Sequence, residues 1–593
     1  MRATRRTIGV VVAATAALAA VAGPAAATPA TTATPPATAW TATGAGAPAT
    51  VRVIVVGAPG QGGAVADAVR RLGGRGVQPL AVIDGVAADL PADRADALRR
   101  NPAVRSVTVD RRGALQGLDP ALGYDVAGDD GSLYGVAQVT HAKDAWTKGW
   151  TGKGVDVALV DSGVAPVQGL TSGNVVQGPD LSFESQDPAL VHRDTFGHGT
   201  HMASIIAGRD AAGTGSSYAR ADSHQFTGVA PDARLVSLKV AAADGGSDVS
   251  QVIAAVDWVT QHAHDPGMNI RVLNLSYGTD STQSPAVDPL AYAVENAWRA
   301  GIVVVVSSGN DGTSRTALAD PAIDPLVLAV GADDPMNSDS VGDDTVPSFA
   351  QRGTTTRHVD VIAPGVHVLG LRVPGGSADL ASPGARVGTR FFRGSGTSQA
   401  AAVVSGLAAL YLQKYPAATP DQVKKALMTN ATAPSYVKRV FTGLGVPDVN
   451  KAIGAPLPPS AAQAATGATG TGTIEGARGS SHVSDGYAAL AGEVDIFGRP
   501  WDPAGWAQSS TNRTAWSGGT WRGSDWTTSV WSSSGSWDSH AWSADDWSSH
   551  AWSSHAWSSH AWSDATWDSH AWSDSTWASN AWSASGWSTA GWR

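Results

Sequence analysis

The chain has 593 residues, no cysteine and a formal net charge of −10. That length supports a large core with additional modules. The missing cysteines exclude a disulfide scaffold, thiolate metal sites and a cysteine nucleophile, and the mild acidity gives no footing for nucleic acid as a partner.

In chain order, Arg2, Arg5 and Arg6 precede an apolar run from Ile8 to Val21, and Ala25-Ala26-Ala27 offers a small-residue cleavage site. This is a signal-peptide pattern over 1–27, too short for a membrane span. Arg5-Arg6 also admits twin-arginine export, although an ordinary basic n-region accounts for it. No later apolar run reaches spanning length, so the expected product is secreted, extracellular or wall-associated, with no membrane contact after signal cleavage. Residues 28–50 are rich in Ala, Thr and Pro and read as a disordered linker.

Over 51–112 the pattern sharpens. Strands are expected at Val51–Val56, Val77–Ile83, Val86–Leu90 and Val104–Val109, and helices at Ala64–Leu72 and Arg94–Arg100. The order β-α-β-β-α-β is that of a small ferredoxin-like α+β domain. Residues 113–135 are Gly/Asp-rich and suit a maturation segment. From 136 to 454 near-continuous apolar strands (Val155–Val160, Leu235–Val240, Val272–Leu275, Ile302–Val306) alternate with helices at His198–Gly208, Val249–His262 and Leu290–Trp298. Such alternation predicts an α/β fold with a central parallel sheet covered on both faces, whose site lies beyond the carboxyl ends of the strands.

Three short motifs fall within this region: Val160-Asp161-Ser162-Gly163, His198-Gly199-Thr200-His201 and Gly396-Thr397-Ser398. A serine hydroxyl needs a base within reach, and the base needs an orienting carboxylate. Ser398 follows a Gly-rich turn and opens a small-residue helix, so its own N–H can face a developing oxyanion. A helix cap with packing glycines would explain the same residues. His198 is the candidate base. His198 and His201 as a metal pair lack a His-Glu-x-x-His arrangement and a third ligand. Asp161 sits where an apolar strand ends; an ordinary strand-end turn would also use an aspartate. Asn310, after Ser307-Ser308-Gly309, can donate a side-chain amide to an oxyanion, although Asn310-Asp311-Gly312 also suffices as a turn. The chain order Asp…His…Ser distinguishes one triad lineage from the others.

On these motifs the region 136–454 resembles the subtilisin family of serine peptidases, and 51–112 resembles its intramolecular-chaperone prodomain. The resemblance implies a three-layer subtilisin-like fold. It also implies Asp161, His198 and Ser398 as triad, Asn310 as oxyanion donor, and a substrate cleft lined by Ser276, Tyr277, Gly278, Ser307, Ser308 and Gly309, with Gly245 on the other edge. Polypeptides are the implied substrates and the chain's own prodomain an implied inhibitor. No cofactor is implied for the chemistry. Structural calcium is a family trait; Asp180 lies in a suitable region, but no ligand loop identifies a site. The family usually has Met after the serine and Pro four residues after it, where this chain has Gln399 and Ala402.

Residues 455–500 begin as a Pro/Ala/Gly linker and continue into a short segment with no clear pattern. The tail, 501–593, holds 18 of the 23 tryptophans, spaced every five residues from Trp537 onward. A period of five suits neither a helix nor a strand. The tail reads as a low-complexity extension, a compact solenoid, or an adhesive surface stacking on wall polysaccharide. His550, His555 and His560 repeat with it; the spacing admits weak metal binding, and solvated histidines explain it equally simply. The competing function is a surface- or polymer-binding protein whose peptidase domain is an inactive scaffold.

Overall fold

The computed structural model describes residues 50–526 apart from 92–93, 111–118, 120, 130, 313–314, 316, 337, 436, 461–462 and 485–487. The signal segment, the first linker and the tail from 527, with His550, His555 and His560, lie outside the described residues. The chain divides into two units, one ending at Ala114 and one beginning at Leu115.

The first unit contains β1 (Thr50–Gly57), β2 (Arg75–Leu80), β3 (Gly85–Pro91) and β4 (Val104–Val109), with helices Gly62–Arg71 and Ala95–Arg99. The strands lie in the order β2-β3-β1-β4, and every neighbouring pair is antiparallel. Alternation places Val53 and Val55 of β1 against Val65 and Val69 of the first helix, in a core shared with Val86, Ala88, Leu90 and Leu98. The expected strand Val77–Ile83 is cut short. Ala81–Ile83 forms a 3-10 turn, Val82 is 98% exposed, and Asp84 adopts φ 44° before Gly85. Asp and Gly tolerate that left-handed step, so the local turn chemistry overrides the apolar run.

The second unit is built on seven strands, β5 (Asp156–Asp161), β6 (Val175–Asp180), β7 (Arg234–Lys239), β8 (Ile270–Leu275), β9 (Val303–Ser307), β10 (Leu328–Asp333) and β11 (Val361–Pro364). Their order is β11-β10-β9-β8-β5-β7-β6, with all pairings parallel. The central strands are buried on both faces, which is why Val303–Val306 can be an unbroken valine run. The helix Val249–His262 has the predicted bounds. Asp248 caps it in a reciprocal capping box with Gln251.

The segment after residue 462 is part of this unit. Ile474, Ala477, Val483, Leu490 and Ile496 join its core, and so do Trp501, Trp506, Trp516, Trp521 and Trp526. Arg478, fully buried, donates its Nε–H to Asp248 Oδ2 at 2.6 Å. Asp257, on the polar side of helix Val249–His262, accepts Trp506 Nε1–H at 2.9 Å, Trp521 Nε1–H at 3.0 Å and Ser510 Oγ–H at 2.6 Å. The five-residue spacing of Trp516, Trp521 and Trp526 has a simple local basis. Two-residue strands Trp516–Ser517, Thr520–Trp521 and Ser524–Asp525 pair antiparallel. They are joined at Gly518-Gly519 and Arg522-Gly523, all four with positive φ, as a tight primed hairpin turn requires. The first five tryptophans of the tail are therefore core residues of the second unit.

Candidate active site

Asp161 is the last residue of β5, and His198 is the first of helix His198–Ala207. The His198 Nδ1–H lies 3.0 Å from each Asp161 carboxylate oxygen, and both residues are 1% exposed. Asp161 Oδ1 also accepts the Ser162 N–H at 2.7 Å. The start of the histidine helix is held by Asp194, which accepts the Gly197 and Thr200 N–H groups and the Ser162 hydroxyl. Ser162 Oγ in turn accepts the Gly199 N–H at 2.9 Å. Gly199 must be glycine, because a Cβ there would lie 2.1 Å from Gly163 O and 3.1 Å from Asp161 Oδ1. His201, one turn on, packs behind, with Nε2 3.1 Å from Phe392 O.

Ser398 is the second residue of the buried helix Thr397–Lys414. The first N–H groups of a helix have no acceptor within it. Here the Thr397 N–H and Oγ1–H both donate to Asn310 Oδ1 at 3.0 Å, which fixes the Asn310 amide against the start of the helix. The Gly309 N–H donates to Thr397 Oγ1 at 3.2 Å, tying the end of β9 to the same turn. Ser276, just past β8, donates its hydroxyl to Ser398 O at 3.3 Å. Ser398 Oγ is buried and has no hydrogen-bond partner among the described residues. The ends of the adjacent strands β5, β8 and β9 thus bring Asp161, Ser276 and Asn310 to one edge of the sheet, where His198 and Ser398 open two helices.

The predicted cleft residues divide by how their groups are used. Ser276–Gly278 lies beyond β8 and outside the sheet. Ser276, Tyr277 and Gly278 are all buried, with Tyr277 1% exposed. Ser308 is committed internally: its N–H donates to Val330 O, its carbonyl accepts the Ala319 N–H, and its hydroxyl donates to Gln351 O. Ala319, which the sequence reading missed, sits between the two segments. A Cβ on Gly278 would lie 2.7 Å from its Cβ, and one on Gly309 3.2 Å. Gly245, with φ 83°, forms a tight turn in which its N–H donates to Ala242 O.

A buried ion pair underlies this edge. Lys239, opposite Asp161 in the β5–β7 ladder, places Nζ 2.9 Å from Glu184 Oε2 and donates to Ser162 O and Ala241 O. Burial pushes the Asp161 carboxyl well above its ordinary range, and the Asp194 anion acts in the same direction. The Ser162 N–H and the Lys239 cation oppose them. Burial pushes the His198 imidazole well below 6.5, aided by His201. Lys239→Met would leave Glu184 buried without its cation. Chemical denaturation should show a loss of about 3–5 kcal/mol, much of it restored by adding Glu184→Gln.

Asp180 is held within its own loop by hydrogen bonds. It lines a cavity of about 520 Å³. Its Oδ1 accepts the Ser182 N–H and hydroxyl, and its Oδ2 accepts the His192 N–H. Among the described residues no group of three or more His, Asp or Glu is arranged to hold a metal.

The subtilase family model matches residues 152–455. Serine protease AprX of Bacillus subtilis (strain 168) is 38% identical over 305 residues, 50% of this chain and 66% of that protein. The chain thus spans just under two thirds of that relative's length. An extracellular serine proteinase of Thermus sp. (strain Rt41A) is 32% identical over 381 residues, 63% of this chain and 78% of the relative. Subtilisin BL of Lederbergia lenta is 33% identical over 311 residues, 52% of this chain and 95% of that protein. A family match over half of the chain, on the sheet whose edge carries Asp161, His198, Asn310 and Ser398, means that the chain belongs to the subtilase family of serine-type endopeptidases.

Proposed function

We propose that the chain is a secreted endopeptidase that cleaves polypeptides through an acyl-enzyme on Ser398 and is made as an autoprocessed precursor. The observation that carries this reading is the Asp161–His198 hydrogen bond, at the strand edge where Thr397 ties Asn310 to the Ser398 turn. Ser398 Oγ attacks the scissile carbonyl while His198 Nε2 takes its proton, and Asp161, bound to Nδ1, leaves Nε2 as the nitrogen that accepts it. The oxyanion that forms is met by Asn310 Nδ2–H and the Ser398 N–H. His198 then protonates the leaving amine, the carbon–nitrogen bond breaks, and water releases the acyl group by the same steps in reverse order. The backbone of Ser276–Gly278 receives the substrate as an added strand.

The unit over 51–112 is proposed to act as prodomain and inhibitor; its four-stranded ferredoxin-like order supports this. Export is supported by the leading basic-apolar segment and by the likeness to an extracellular proteinase of Thermus. Among the described residues no helix is long and apolar enough to cross a membrane.

A serine-directed fluorophosphonate probe tests the reading on one gel. Label on wild type but not on Ser398→Ala, with loss of a prodomain-sized piece, is expected. Absence of label on the processed wild type would reject it. The acid limb is a second test. The base must be neutral to act, and burial lowers the His198 pKa, so kcat/KM should rise with pH about a midpoint below 6.5 and be flat by neutrality. A limb centred above 6.5, or none down to about pH 3.5, contradicts the role.

A further inference from the structure

Among the described residues of the second unit four glutamines are buried, and three are hydrogen-bonded at both ends of the amide. Gln251 accepts the Asp248 N–H and donates to Leu181 O. Gln351 donates to Ala317 O and accepts the Asp311 N–H. Gln422 accepts the Thr419 N–H and donates to Pro458 O. The fourth, Gln399, is 1% exposed, and neither its Oε1 nor its Nε2 has a hydrogen-bond partner among the described residues. A buried amide left unsatisfied at both ends is a costly use of the position, and methionine would fill it without that cost.

Its placement gives the amide a use. Gln399 follows Ser398, whose hydroxyl is likewise buried without a hydrogen-bond partner. A Cβ on Gly396 would lie 2.8 Å from Gln399 Oε1 and 3.5 Å from Asn310 Nδ2. Both carboxamides therefore border one small space, kept open because residue 396 has no side chain. Asn310 is fixed there by Thr397, whereas Gln399 can turn its amide end for end.

We propose that Gln399 touches the substrate: its Nε2–H donates to the scissile carbonyl oxygen as that atom becomes the oxyanion, alongside Asn310 Nδ2–H. The inference rests on the peptidase reading and adds a donor to it. No bond is made or broken by Gln399. It contributes only as negative charge collects on the oxygen, so its removal should lower kcat rather than raise KM.

The test compares wild type, Gln399→Met, Gln399→Glu and Ser398→Ala in the processed full chain. Readouts are peptide anilide turnover, inhibition by a peptide aldehyde whose serine adduct carries an oxyanion, and inhibition by the product peptide. Gln399→Met should lower kcat about 10- to 100-fold with KM within about threefold, and should weaken the aldehyde in proportion while the product peptide binds as before. Gln399→Glu keeps the shape but sets an anion beside the oxyanion, so it should fall further at pH 8 and recover part of the loss toward pH 5. Gln399→Met turnover within about twofold of wild type, or parallel loss of aldehyde and product binding, would overturn the proposal. Turnover retained in Ser398→Ala would reject the peptidase reading itself, a result distinct from either.

Discussion

Ser398→Ala should lower peptide turnover by about 10⁴- to 10⁶-fold, with unfolding and prodomain-free mass unchanged when the precursor is processed in trans. At about 1.36 kcal/mol per decade, that is about 5–8 kcal/mol of transition-state stabilisation carried by one hydroxyl and the groups acting with it. The hydroxyl is buried at the opening of a helix, and no hydrogen bond among the described residues depends on it, so its loss should not disturb the fold. Asp161→Asn should cost about 10⁴-fold, because an amide facing His198 Nδ1 selects the wrong tautomer. The double variant Ser398→Ala/His198→Ala should be no worse than Ser398→Ala alone, since the base has nothing to activate once the nucleophile is gone. Steady-state kinetics on one chromogenic peptide measures all three. Ser398→Ala within tenfold of wild type would remove the nucleophile from the scheme.

The candidate triad could be picked out because each of Asp161, His198 and Ser398 sits in a short motif whose neighbours are dictated locally. Gly199 is needed for close approach to Gly163 O, and the Asp161 and Asn310 motifs close apolar strands. The parallel strands in the middle of the sheet were legible as valine and leucine runs. β6, Val175-Val176-Gln177-Gly178-Pro179-Asp180, was not. It is an edge strand paired on one side only, so it tolerates Gly and Pro that read as a loop. The burial of Asp257 could not be read either: its apolar neighbours mark helix Val249–His262 as half-exposed, and the groups that cover its polar face come from Trp506, Ser510 and Trp521, far along the chain. Gln399 stood out in sequence only as a departure from a family habit. Its meaning depends on finding both ends of the amide buried and unused, which is a property of packing.

Ending the chain after Pro500 should abolish folding of the peptidase-like unit, whereas ending it after Trp526 retains every described contact. The tail begins at Trp501 by composition, which makes Pro500 the natural place to cut. The structure puts that cut through the core. It removes Trp501, Trp506, Trp516, Trp521 and Trp526, none more than 6% exposed. A buried aromatic covers about 150–250 Å², so at about 25 cal/mol per Å² each tryptophan contributes several kcal/mol. Their combined loss exceeds the net stability of about 5–15 kcal/mol typical of a folded domain. The cut also leaves the Asp257 carboxylate without two indole N–H donors and a hydroxyl. It strips the partner of the Gln261 amide as well, which exchanges hydrogen bonds with the Trp516 backbone. The two truncations should therefore differ sharply in soluble yield, melting temperature and fluorophosphonate labelling, with the chain ending at Pro500 unlabelled. Asp257→Ala in the longer chain should fall between them, lowering the melting temperature by several degrees as donors from three residues lose their acceptor. If the chain ending at Pro500 melts within a few degrees of the longer one and takes the probe, residues 501–526 are an accessory layer and the tryptophan cluster does not support the catalytic unit.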